Sequence, residues 1–239
     1  LFQSGIVDSA IEIQNASVAF GAQTVFRDLT ASIRKNSVTA VLGKSGSGKS
    51  TFLQLINGMV RPGSGTVRVS GKPIDYNALS DLRLSIGYVV QNTGLFPHLT
   101  VGENIMLLAR VTRCVDEKVS LRIQHLMDMA QIPPSFLGKF PHELSGGEQQ
   151  RVGLCRALLL NPPVVLMDEP FASLDGSTKQ GIYSYVQAFQ QTEPRTIVLV
   201  THDWEEAGQL ADDFILLGSG NIEAKGNNAE LKSIRPTVD

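Results

Sequence analysis

The sequence predicts an α/β fold with a parallel-sheet core, an antiparallel β subdomain at the N-terminal end and a helical subdomain inserted into the core. Residues 10–42 carry short β-branched runs broken by polar turns, and a glycine-rich loop at 43–48 separates an apolar run from a helical pattern. Beyond Gln91 one helical pattern follows another to about residue 160, after which apolar runs and helical patterns alternate.

Ile11-Glu12-Ile13 alternates apolar and polar residues, Gly21-Ala22 marks a turn, and 38–42 is a continuous apolar strand. Phe52, Leu53, Leu55 and Ile56 then recur at helical spacing up to Gly58, and Gly63-Ser64-Gly65 turns the chain into a strand at 66–69. Helical patterns at 101–110, 116–130 and 147–160, interrupted by Pro133-Pro134, define an inserted helical subdomain at 92–160 within a single domain spanning 10–231. Strands at 164–168, 197–200 and 214–217, with helices at 178–190 and 204–210 between them, have the rhythm of a parallel α/β sheet.

Composition narrows the function classes. Of 239 residues 42% are hydrophobic and 18% charged, ordinary for a folded domain, and the formal net charge is −2 with no Lys/Arg-rich block, which excludes nucleic acid as a direct partner. Apolar runs such as 164–167 and 197–200 suit buried strands and fall far short of the roughly 20 residues of a membrane-spanning helix. Cys114 and Cys155 are far apart and read as two reduced thiols, giving an expected location in the cytoplasm or on a cytoplasmic membrane face. Residues 1–5 lack an initiator Met and read as a remnant of a cleaved tag.

Three motifs carry chemistry. Gly43-Lys44-Ser45-Gly46-Ser47-Gly48-Lys49-Ser50 fits the G-x-x-x-x-G-K-[ST] phosphate loop, between a strand and a helix as that motif requires, so the core is that of a P-loop NTPase. Its backbone N–H groups would cradle phosphate oxygens, Lys49 would bridge the β- and γ-phosphates of ATP, and the Ser50 hydroxyl would bind Mg²⁺; Thr51 is counted with the nucleotide-binding residues. The apolar strand 164–167 ends in Asp168 and Glu169, a carboxylate pair at the edge where open α/β sheets bind ligands. Asp168 would hold Mg²⁺ and Glu169 would act as general base on the attacking water. Leu144-Ser145-Gly146-Gly147 opens a long helix and supplies a second anion-binding helix start, which one nucleotide does not need in its own subunit.

These motifs together resemble the ATP-binding cassette family, in family order over 10–231. The resemblance implies that Ser145, Gly146 and Gly147 reach across a head-to-tail dimer to the γ-phosphate held by a second cassette, with Ser173-Leu174-Asp175 at the same interface. It implies that Phe20 stacks on adenine, where the family more often has tyrosine, that Gln91 contacts Mg²⁺ and the attacking water, and that His202 contacts the γ-phosphate. His98, His125 and His142 are left as surface residues. Every catalytic position keeps its expected residue type, so turnover is expected.

Three function classes follow from the resemblance: a transport ATPase, a non-transport cassette, and a nucleotide-binding regulator without turnover. Single-cassette length disfavours translation factors, and intact Glu169 and His202 disfavour the regulator. Residues 86–105 are similar to bacterial importer ATPases for glycine betaine, choline and related osmoprotectants. That similarity implies transmembrane permease subunits and an extracytoplasmic solute-binding protein as partners, and a peripheral position on the cytoplasmic face of the inner or plasma membrane. Lipid-transport and efflux systems are the alternative. Leu95 and Phe96 before Pro97 either form a socket for a permease helix or fold into the helical subdomain's own core. The chain stops soon after Leu231, an expectation of no C-terminal regulatory domain.

Overall fold

Period-two alternation at the start of the chain produces a long hairpin. Strands β1 (Ser9–Phe20) and β2 (Gln23–Arg34) pair antiparallel across the Gly21-Ala22 turn, directing Ile11, Ile13, Phe26, Leu29 and Ile33 into the core. The computed structural model describes residues 8–91 and 94–234, so the tag remnant expected at 1–5, and Asn92 and Thr93 within the importer-like stretch, lie outside the described residues. The chain divides into two compact units, one drawn from 1–83 with 195–239 and the other from 84–194.

In the first unit, β3 (Val38–Gly43) leads through the glycine loop into α1 (Lys49–Ile56), and β4 (Ser64–Val69) and the two-residue β5 (Lys72–Pro73) extend the hairpin into a sheet of order β2-β1-β4-β5. The short α2 (Leu79–Leu84) follows. β3 is buried from Val38 to Leu42 and lies between two parallel neighbours, β8 (Thr196–Val200) and β9 (Asp213–Leu217), so its run needs no polar face. α1 buries Phe52, Leu53, Leu55 and Ile56 completely, each contributing about 1.5–3 kcal/mol. α7 (Trp204–Leu210), the antiparallel edge strand β10 (Ile222–Asn227) and α8 (Asn228–Ile234) complete the unit. The sequence reading stops at the strand 214–217 because β10 alternates between half-buried and exposed residues and carries no apolar stripe.

In the second unit, β6 (Ile86–Val89) pairs parallel with β7 (Val164–Asp168), Ile86 opposite Val164 and Val89 opposite Met167. Helices α3 (Val101–Val111), α4 (Glu117–Met129), α5 (Gly146–Leu158) and α6 (Gly176–Thr192) supply the remaining core through Val101, Ile105, Leu126, Val152, Leu154, Ile182 and Phe189. The segment expected as a helical subdomain thus sits in one unit with β6, β7 and α6. Pro133-Pro134 introduces a 3₁₀ turn, Pro134–Gly138, followed by another at Pro141–Glu143. Every long helix here starts with a side-chain cap. Thr100 with Glu103 on α3 and Ser145 with Glu148 on α5 form full capping boxes, while Asp116 and Asp175 cap α4 and α6. Both cysteines are free, and complete burial pushes the Cys155 thiol up to about 12.

Bonds from the backbone N–H and hydroxyl of Ser145 hold the Glu148 carboxyl below the ordinary glutamate range, and the same pair of bonds from Thr100 lowers Glu103. A folded-state pKa below the unfolded one gives stability that is present above about 4.3, the unperturbed value, and is lost as pH falls through the folded one. Urea unfolding midpoints are therefore expected to be level above pH 5 and to fall at lower pH, and Glu103→Gln should flatten that decline; an unchanged slope would contradict the capping-box origin.

Candidate active site

The phosphate loop closes on its own lysine. Lys49 is buried, and its ammonium donates to the carbonyl oxygens of Gly43 at 2.9 Å and Lys44 at 3.2 Å. The loop turns back through Ser47 N–H to Lys44 O at 3.1 Å and enters α1 at Gly48, which has φ 97° and no side-chain cap. A Cβ on Gly48 would stand 2.7 Å from the Phe26 ring and 3.0 Å from Val25, so glycine is required there by conformation and by space. Lys44, Ser45, Gly46 and Ser50 are exposed, Thr51 is half-buried, and the buried Ser47 hydroxyl has no hydrogen-bond partner among the described residues. An uncapped helix start with an unsatisfied hydroxyl beside it fits an anionic ligand.

Gly43, Lys44, Ser45, Gly46 and Ser47 line a cavity of about 1170 Å³ in the first unit. Val25 and Arg27 of β2, the β9–β10 turn and His202 complete its wall. His202 is exposed, but its backbone is fixed on both sides. The Thr201 hydroxyl donates to the buried Glu206 carboxylate, Asp203 N–H donates to Thr201 Oγ1 at 3.0 Å, and Asp203 caps α7. Phe20, at the end of β1, is 53% exposed and is not among the lining residues.

In the second unit, parallel pairing brings the ends of β6 and β7 side by side, with Gln91 exposed beyond one and Asp168-Glu169 at the other. The Tyr88 hydroxyl donates to Asp168; burial first, then the Asp168 charge and this bond, push the phenol up to about 12. Glu169 has φ 44°. Arg113 and Gln131 share that left-handed region just past the ends of α3 and α4, where helix termination favours it, whereas Glu169 adopts it at a strand end.

The Leu95–Thr100 stretch is held by Asn104, a fully buried residue of α3. Its amide nitrogen donates to the carbonyls of Phe96, Leu99 and Thr100, each at 3.0 Å, and its oxygen accepts from Phe96 N–H at 2.7 Å. Phe96 stays 44% exposed, edge-on to His98, rather than joining the core. Arg156 of α5 donates to Gly94 O at 2.7 Å, tying this loop to α5, the signature helix, which Leu144-Ser145-Gly146-Gly147 opens. Ser145 and Gly146 are exposed at the start of α5, while Gly147 is buried.

Each unit thus gathers part of the expected set: Gly43 to Lys49 with His202 in the first, and Gln91, Asp168, Glu169 and residues 145–147 in the second. The sequence reading missed Asn104, Glu206 and Tyr88, which are ordinary residue types engaged through contacts no local motif announces. His98 and His142 are exposed; His125 bonds Glu193 at 3.1 Å, which also pairs with Arg122.

The chain is similar to known proteins over most of its length. The chain is 38% identical over 218 residues to the glycine betaine/carnitine/choline transport ATP-binding protein OpuCA of Bacillus subtilis, covering 91% of this chain and 57% of the relative. It is 40% identical over 229 residues to the glycine betaine uptake system ATP-binding protein YehX of Escherichia coli, covering 96% and 74%. The chain therefore spans little more than half of the first relative's length. Among solved structures, a dimeric ATP-binding cassette in a post-hydrolysis state with ADP and Pi superposes with a TM-score of 0.80 at 30% identity, over 91% of this chain and 98% of the other. The ABC transporter family matches residues 26–172, more than half of the sequence, and with the phosphate loop, strand-end carboxylates and signature helix all present, this chain belongs to that family.

Proposed function

We propose that the chain is the ATP-hydrolysing subunit of an importer for a small polar solute of the betaine or choline class. The observation that carries hydrolysis is the loop closed on buried Lys49 beside a large cavity, in a chain that also has a strand-end Asp168-Glu169 pair. The solute class rests on the two betaine-transport relatives. No helix among the described residues is long and apolar enough to cross a membrane. In this reading separate permease subunits carry the membrane passage, and a solute-binding protein delivers cargo to them. The subunit works peripherally at the cytoplasmic face.

ATP lies along the phosphate loop. Backbone N–H groups of 43–48 and the Lys49 ammonium hold its phosphates, His202 reaches the γ-phosphate, and the exposed Phe20 ring stacks on adenine. Ser50, Gln91 and Asp168 would hold Mg²⁺; they present only oxygen ligands with a single carboxylate, a set suited to a hard cation shared with phosphate oxygens. Bound there, the ion would supply positive charge against the charge that develops on the phosphate oxygens. Glu169 takes a proton from water as the water attacks phosphorus in line and ADP departs. Residues 145–147 of a second copy close on the γ-phosphate, so two ATP molecules lie in a two-fold head-to-tail pair. Loss of the γ-phosphate releases the pair.

Glu169→Gln is expected to keep nucleotide affinity and lose phosphate release by at least about 10²-fold, whereas Lys49→Ala should weaken nucleotide binding itself. Titration with a fluorescent ATP analogue beside a phosphate-release assay separates the two, and undiminished release by Glu169→Gln would remove it as the base.

The Asn104-held loop is the seat for a permease helix, moved when the pair closes. Phe96→Asp should leave soluble ATPase activity nearly intact and abolish radiolabelled betaine uptake after reconstitution with permease and binding protein, because burying the new charge costs several kcal/mol. Retained uptake would move the seat elsewhere, and outward movement of lipid or drug would replace the importer reading.

A further inference from the structure

The two glycines that open the signature helix meet different surroundings. A Cβ on Gly146 would touch only Leu174 Cδ2, at an ordinary 3.5 Å. A Cβ on Gly147 would stand 2.2 Å from Thr178 Cγ2, inside any real carbon–carbon contact. Thr178 is on the first turn of α6, and it cannot readily turn aside. Its N–H donates to Asp175 Oδ1 at 3.0 Å and its hydroxyl to Asp175 Oδ2 at 2.7 Å. With the hydroxyl fixed on Asp175, the branched side chain has one place left for its methyl group, and that place is over Gly147. Asp175 is fixed in turn, since Ser177 Oγ donates to its Oδ1 at 2.6 Å.

We infer that Thr178 is a positioning residue that locks the loop at 173–175 to the signature helix, and that Gly147 is glycine because Thr178 occupies its Cβ space. Gly146 has no such neighbour, its Cβ space being bounded only by Leu174 Cδ2. The Ser173-Leu174-Asp175 loop and the start of α5 would move as one piece when two cassettes meet, so a shift at either is felt by the other. This rests on the pairing described above, and the contact itself can be tested without it.

The experiment is a double-variant cycle in the Glu169→Gln background, where bound ATP persists. Gly147→Ala should lower the urea unfolding midpoint and raise the subunit concentration needed for MgATP-driven pairing by roughly 10-fold or more, as overpacking by one methyl group implies. Adding Thr178→Ser, which keeps the hydroxyl for Asp175 and removes the opposing methyl, should restore both. ATP affinity of the isolated subunit should stay at the parent value throughout. Recovery of the midpoint without recovery of pairing would overturn the inference, because Gly147 would then be needed for ligand approach. So would a Gly147→Ala variant that matches the parent in both measurements. If Gly147→Ala does not fold, recovery of folded protein in the double variant is itself the supporting result, and an equally unfolded double variant overturns it. A parent that fails to pair with MgATP would contradict the dimer reading, and the unfolding midpoints would still decide the Gly147–Thr178 contact.

Discussion

An ammonium group taken out of water must be surrounded by acceptors, and the buried Lys49 takes two of its acceptors from the loop that precedes it. Much of the first unit follows from that requirement. Bringing the carbonyls of Gly43 and Lys44 onto Nζ bends the chain back over the start of α1. Within that bend Gly48 has left-handed backbone, and the side chains of Phe26 and Val25 fill the space a Cβ would need. The hairpin strand β2 is thereby packed against the loop it helps to shape. What remains open is the uncapped start of α1, the feature an anion can satisfy.

The signature helix solves the same problem of orphan amides differently. Ser145 and Glu148 bond each other's backbone N–H groups, so α5 is capped from within its own chain, whereas α1 has no side-chain cap at all. One helix start is thus shaped to hold an anion through its own subunit's loop, and the other is a finished element that presents Ser145 and Gly146 outward.

Legibility in the sequence tracked how local each demand was. The phosphate loop needs glycines and a lysine at fixed offsets along one stretch, and the sequence carries them contiguously. The buried strands at 38–42 and 164–168 are apolar because both faces are covered, so they too can be read directly. β5, α2, β10 and α8 were not anticipated, since the first is two residues long and the others bury few or no side chains. Asn104, Glu206 and Thr178 are common polar residues whose partners lie on loops or on another helix, and nothing in their immediate neighbours marks them. For Gly147 the motif was legible while one physical reason for the glycine was not, because that reason is a methyl group contributed by α6.

If ATP is hydrolysed only where the phosphate loop of one copy meets the signature helix of another, two variants inactive for opposite reasons should complement. Lys49→Ala removes the first half of the composite site and Gly146→Asp the second. A mixed pair of the two retains one intact site of the two that a two-fold interface contains. Phosphate release from an equimolar mixture should clearly exceed the sum of the two variants measured separately, and a rate equal to that sum would contradict the head-to-tail pair.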